Sequence, residues 1–422
     1  MSVTGRQSVV VLKIALRTSY TVLAVCTVAH FMHHVYTGAL SPMLPLIRMD
    51  MNLTLTESGI IASAAVTSMT VSHLLVGSLS DRGLGKTLIP SSVLLTGMML
   101  WTTAYSTTFW FILCVQIVLG IGAATYHPCA FPVLAEQFPS QRRAFATGVQ
   151  GMGGIIGSAL VPALGVFLLV WLGSWQGAFI TLGGIGIVLF VPLLLAMKRG
   201  TDQCVMENNT NLGKRQVEGW TRDFALLVIL SGLRGIPFRC MTLLMPLYLA
   251  SSRGMDPSLA GILTSVMLAS GILAEFISGP LSDRVQKRVP FIVMSSAFMI
   301  PTLLLLNLEL DLVMLTLVLI ATGFWFYWGD PPGMALETEL SPAHRRGLAF
   351  GLIFSVGAVP GALAPALFGY IGDTFGLNIS ILFVAGVTAA SAIVTSLVRE
   401  SWREEGGIEV RAGPEPVRPP DQ

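Results

Sequence analysis

Gly77-Ser78-Leu79-Ser80-Asp81-Arg82, running on to Lys86, returns later in the chain as Gly279-Pro280-Leu281-Ser282-Asp283-Arg284, running on to Lys287 and Arg288. Each copy closes a long apolar run and opens a short basic loop. The copies stand 202 residues apart, and other landmarks keep nearly that offset. Arg142-Arg143 returns as Arg345-Arg346, residues 159–164 return as 362–367, and Leu44-Pro45-Leu46 returns as Met245-Pro246-Leu247. A period of about two hundred residues is far longer than any solenoid unit. The chain therefore reads as one membrane half written twice.

Composition agrees with this reading. Of 422 residues, 53% are hydrophobic and 11% charged, against roughly 25% charged in a soluble domain, and the mean hydropathy is +0.73. A net charge of +2 gives no reason to expect a nucleic-acid partner. The five cysteines are an odd count without metal-like spacing, so they read as small packing residues rather than a disulfide framework. Twelve apolar runs are each long enough to cross a bilayer, which needs roughly 20 residues. The first lies near 18–46 and the last near 377–398. Six belong to an N-terminal bundle at 18–197 and six to a C-terminal bundle at 224–398. Residues 1–17 and the charged, Pro- and Gly-rich tail 399–422 flank them, the tail reading as disordered, and the polar stretch 198–223 links them. With both termini cytoplasmic, 21 of the 25 Lys and Arg fall on the cytoplasmic side, as the positive-inside rule requires. The expected fold is thus an all-α membrane protein of twelve transmembrane helices in two pseudo-symmetric six-helix bundles, a monomer in the bilayer of a plasma (inner) membrane.

The two loops are similar to the signature of the major facilitator superfamily, in which glycine, leucine, aspartate, arginine and a basic residue recur between the second and third helices. Gly77, Leu79, Asp81, Arg82 and Lys86 match it, although Leu84 stands where the later glycine belongs; Gly279, Leu281, Asp283, Arg284, Lys287 and Arg288 match it again. Gly120-Ile121-Gly122 resembles the family's second motif, with Gln116 in place of the arginine linked to antiport. His127-Pro128 resembles the fosmidomycin-resistance branch. The resemblance implies the family's fold, a cavity lined by helices one, four, seven and ten, and transport by alternating access. For Asp81, Arg82, Arg142, Arg143, Asp283, Arg284, Arg345 and Arg346 the expected role is a cytoplasmic gate.

Candidate site residues are the polar groups placed where lipid would penalise them. His30, His33 and His34 share one face of helix one, because residues three and four apart are helical neighbours. The repeat offset maps His33 onto Arg234, His127-Pro128 onto Asp330-Pro331, and His73 onto Glu275. Both halves are polar in the same slots. His30, His33, His34, His127, Arg234 and Asp330 are the expected substrate contacts. His33, His127, Glu275 and Asp330 are the expected proton carriers. Arg234 suits a carboxylate or phosphate, because it stays charged and presents a fixed fork of donors. Arg234 and Asp330 are also expected to pair across the cavity wall. Arg239, turned about 140° from Arg234, reads first as a snorkelling residue. Helix seven is expected to break at Gly235-Ile236-Pro237 and helix ten at Pro331-Pro332-Gly333.

The function expected from these residues is a proton-coupled secondary transporter of a small organic solute, with Arg234 favouring an anion. Neither a cofactor nor a resident metal is expected, and no nucleophile-base motif points to an enzyme. Two alternatives stay open. One is a divalent metal carrier using the histidines with Asp330; the other is a receptor or assembly subunit that keeps the fold without moving solute. The direction of transport is left open, with efflux the reading that the fosmidomycin-resistance likeness favours.

Overall fold

The computed structural model describes residues 3–138, 140–201, 220–342, 349 and 352–400. Among these the regular elements are helical, and they group into twelve rods. The first six are α1 (Val3–Gly38, continued as Leu40–Asp50), α2 (Leu55–Leu79), α3 (Gly85–Thr103), α4 (Phe109–Ala124, continued as His127–Gln137), α5 (Ser140–Leu172) and α6 (Trp175–Thr201). The second six are α7 (Arg222–Arg253), α8 (Pro257–Val285), α9 (Val289–Leu305), α10 (Leu312–Trp328, continued as Asp330–Leu340), α11 (Leu352–Gly357, continued as Val359–Phe375) and α12 (Leu377–Ser396). By length and composition nine helices among the described residues can cross a membrane, and Val289–Leu305 is a shorter apolar one. The helix of α1 begins at Val3, ahead of the apolar run that was expected to start near 18.

Polar side chains cap the starts of several of these rods. Thr54 accepts from the Glu57 amide while the Glu57 carboxylate accepts from the Thr54 amide, a reciprocal cap for α2. Thr108, Thr221, Asp256 and Asp311 cap α4, α7, α8 and α10 through the same kind of contact. In the first basic turn Gly83 sits at φ +80°, where a side chain would be strained. The second copy reaches the same hand of turn at Gln286, φ +60°, whose side-chain amide donates to the Asp283 carbonyl at 2.6 Å.

Two proline-linked breaks interrupt rods: the one in α10, expected at Pro331-Pro332-Gly333, falls just ahead of those residues, which are helical, and the one in α4 was not foreseen. The chain leaves the helix at Thr125-Tyr126 before His127-Pro128, and at Gly329 before Asp330-Pro331. Helix α7 contradicts the expectation: it runs unbroken from Arg222 to Arg253 with Pro237 and Pro246 inside it. Proline removes one backbone donor, and neighbouring helices and polar side chains absorb that loss inside a membrane bundle.

Close packing repeats as well. Gly120 on α4 meets the Ala65 carbonyl of α2, and Gly323 on α10 meets the Met267 carbonyl of α8; neither site has room for a Cβ. The two bundles meet along α2 and α11, α5 and α8, and α1 and α7. Asp373 on α11 accepts from the backbone amides of Leu55 (3.0 Å) and Thr56 (2.7 Å) and from the Thr56 hydroxyl, so it caps a helix of the other bundle. Ser63 accepts from the Ala366 amide, and Ser41 donates to the Thr242 carbonyl, both at 3.0 Å. These contacts join the halves at the end opposite the basic turns.

The basic turns themselves are tied inside their own bundles. Lys86 pairs with Glu136 at 3.7 Å. Arg288, nearly buried, pairs with Asp283 at 2.6 Å and with Glu339 at 3.4 Å. Glu400 accepts from the backbone amides of Arg288 and Val289. Arg82, Arg142 and Arg284 are exposed. The side chains of Asp81 and Arg143, and Arg345 and Arg346 altogether, lie outside the described residues.

Candidate functional site

Breaking α4 before His127 turns that imidazole towards the histidine face of α1. The six centroid separations among His30, His33, His34 and His127 run from 4.8 to 6.4 Å. Tyr126, fully buried, stacks on His30 at 4.9 Å. His30 and His33 are buried, whereas His34 and His127 are half-buried. The glycines of α5 make this approach possible. A Cβ on Gly154 would lie 2.5 Å from His30 Cε1 and 2.9 Å from His34 Cδ2.

His30 Nδ1 lies 2.8 Å from the Gln150 backbone carbonyl oxygen, to which it donates in the tautomer that leaves Nε2 unprotonated. The Gln150 side-chain amide, 2.9 Å from the same nitrogen, then donates to the Tyr126 hydroxyl at 2.7 Å. That hydroxyl donates to the Cys26 carbonyl at 2.8 Å. His30 Nε2 is left without a partner, as is His33 Nδ1. His34 Nδ1 faces the Ser158 hydroxyl at 2.8 Å. His73 on α2 has an unpartnered Nε2 and lies within electrostatic reach of His33 and His127.

In the other half Arg234 pairs with Asp330 at 2.5 Å, the contact expected from the sequence. The guanidinium lodges against Gly329 and Gly333, which carry no side chain to keep it out. The pair lines a cavity of about 260 Å³ between α7, α9, α10, α11 and α12, together with Glu337, Ser295, Thr388 and Ser391. Glu275 on α8 is half-buried and within electrostatic reach of Asp330.

Arg239 departs from its sequence reading. It lines the same cavity, lies against the Phe238 ring at 5.2 Å, and faces protein rather than lipid. It is within electrostatic reach of His34, His73 and His127 in the opposite bundle and of Tyr327 in its own. Among the described residues no carboxylate lies within ion-pair distance of Arg239. The structure thus separates the expected contacts into two groups: Arg234 with Asp330 inside the C-terminal bundle, and the four histidines on the N-terminal side. Arg239 is the cation between them. Glu337, Gln150 and Ser158 were not foreseen. Glu337 falls seven residues after Asp330, a helical repeat that would have drawn attention to it.

The Major Facilitator Superfamily profile matches residues 26–220 and 227–420. The chain belongs to the major facilitator superfamily. It is therefore a multi-pass membrane transporter protein rather than an enzyme. Among curated relatives, the "Probable sulfoacetate transporter SauU" of Cupriavidus necator is 23% identical over 95% of this chain and 99% of its own length. The "Probable galactarate/D-glucarate transporter GudP" of Bacillus subtilis is 25% identical over 83% of this chain and 85% of its own. Among solved structures, a bacterial homolog of the human lysosomal transporter Spinster, inward-facing and unoccupied, superposes with a TM-score of 0.80 at 16% identity, over 92% of this chain and 98% of that one. A D-xylose-proton symporter superposes with a TM-score of 0.67 at 15% identity, over 89% and 97%. These likenesses establish the fold.

Proposed function

We propose that this protein is a proton-coupled secondary transporter of a small organic anion, working by alternating access in a plasma membrane with both termini in the cytoplasm. The observation that carries the anion reading is Arg239. An arginine keeps its charge even in a protein interior and is expensive to hold there without a counterion. Among the described residues Arg239 has no carboxylate partner of its own, and it looks across the seam at imidazoles, which are neutral or cationic. An incoming carboxylate or sulfonate supplies the missing charge and accepts donors from both bundles. The relatives named for sulfoacetate and for galactarate or D-glucarate, all organic anions, support the same class.

Arg234 takes a different part. Its charge is already met by Asp330, and the pair with Glu337 and Glu275 forms the carboxylate group on which we place proton coupling. Protonation there frees Arg234 and biases the packing of α7 against α10. The seam at Asp373, Ser63 and Ser41 closes the end opposite the basic turns, and rocking about the site opens it.

Flux of a panel of short organic anions into proteoliposomes, with and without an imposed pH gradient, tests this reading. Arg239→Gln is expected to lose transport of the accepted anion while remaining folded. Wild-type flux in that variant, or transport confined to neutral solutes, overturns the anion assignment. Flux indifferent to the pH gradient overturns the coupling.

A further inference from the structure

Three imidazoles, His30 and His34 of α1 and His127 of α4, each offer a ring nitrogen, and the three nitrogens lie within 4.8 Å of one another. We propose that they form a binding site for a zinc-class divalent cation (Zn²⁺, Co²⁺ or Ni²⁺), held by three imidazoles with a fourth position open.

Four observations converge on this. Histidines at i and i+4 on one helical face are a recurrent metal-binding pair, and a third imidazole from another helix completes the protein ligands of an open tetrahedral site. His30 is more than nine-tenths buried, and its Nε2 has no partner. A lone pair held dry and unbonded is costly, and a cation removes that cost. The opposite nitrogen of His30 is fixed by the Gln150 carbonyl and that of His34 by the Ser158 hydroxyl. Metal-ligating histidines are oriented in this way, with the outer nitrogen hydrogen-bonded so that the inner one stays free. Gly154 supplies the space, because a Cβ there would collide with both rings.

Distances permit closure. Nitrogens about 2.0–2.1 Å from a tetrahedral ion stand roughly 3.4 Å apart. Reaching that from 4.8 Å needs each ring to move by under about 1 Å. The nearby charge of Arg239 opposes a cation and keeps the affinity below that of a closed structural zinc site. The donor set is nitrogen only, which favours zinc-class ions over magnesium or calcium, whose preferred ligands are oxygen.

Purified protein with its affinity tag removed and its metal stripped is titrated with Co²⁺ and then with Zn²⁺. One Co²⁺ per chain is expected, with the visible bands of a tetrahedral ion, no near-ultraviolet thiolate band, and displacement by Zn²⁺. Ser158→Ala, a mild change at a half-buried site, is expected to weaken Zn²⁺ binding about tenfold by freeing the His34 ring. His34→Gln is expected to weaken it further where it folds. Lack of stoichiometric Co²⁺ binding overturns the site. A thiolate band also overturns it, reassigning the ion to Cys26 or Cys129. Unchanged affinity in Ser158→Ala does the same, and this arm needs no variant at a buried histidine.

Discussion

Arg234→Gln is the perturbation whose outcome the geometry sets most firmly. Unit charges about 4 Å apart at an effective dielectric near 20 attract by roughly 4 kcal/mol. The Arg234 and Asp330 side chains keep 22% and 32% of their surface open to the cavity, so water screens part of that. Removing one partner of a fully buried pair costs roughly 3–5 kcal/mol; here about 2–3 kcal/mol is expected. At 1.4 kcal/mol per decade, that is roughly a 30- to 150-fold rise in the unfolded population. The two single variants should differ. Asp330→Asn leaves Arg234 with Glu337 still close by, whereas Arg234→Gln leaves two carboxylates without their cation. Arg234→Gln should therefore be the less stable. The double variant Arg234→Gln/Asp330→Asn should recover at least about 1 kcal/mol relative to the sum of the singles, well outside the roughly 0.3–0.5 kcal/mol scatter of independent sites. Thermal melts in detergent, read by the fraction surviving size-exclusion, give the ordering, and anion binding on the same samples separates stability from recognition. Additive singles, or a fully stable Arg234→Gln that has lost only anion binding, would refute the pairing argument and return Arg234 to the substrate path.

Other substitutions test the scaffold. Asp373→Ala removes three hydrogen bonds between the bundles at the end of α2. At about 1–2 kcal/mol for a lost cap, a cysteine placed at Ser63 should label several-fold faster with a membrane-impermeant thiol reagent; unchanged labelling would show that the seam is held elsewhere. Gly120→Leu and Gly323→Leu each force two helices apart, so neither variant should be recovered as a monodisperse protein, and normal yields would contradict the close crossings. Tyr126→Phe removes the hydroxyl between Gln150 and the Cys26 carbonyl and should cost about 1 kcal/mol without loss of flux. Inactivity in a stable Tyr126→Phe would move that tyrosine from scaffold to site.

What the sequence disclosed and what it hid divide along a physical line. The duplicated Gly-x-Leu-x-Asp-Arg turns carried the twofold repeat, because charge at a membrane end can occupy few places. The break in α10 was readable nearly in place from Pro331-Pro332-Gly333, that in α4 was not foreseen although His127-Pro128 holds the matching slot of the repeat, and the pairing of Arg234 with Asp330 followed from two opposite charges in one apolar half. Pro237 misled, since a single lost donor does not end a helix whose neighbours stay packed around it. Arg239 misled for a different reason. Angular offset from Arg234 says which way a side chain turns about its own axis, but not which neighbour stands there, and that depends on how the two bundles close. The same limit hid the cap from Asp373 to α2, two elements more than three hundred residues apart in the chain. Spacing on one helix can nominate a polar face, as it did for His30, His33 and His34. Whether that face meets lipid, a carboxylate or an unpaired arginine is decided by the contact between halves, and that contact gives Arg239 its claim to the anion.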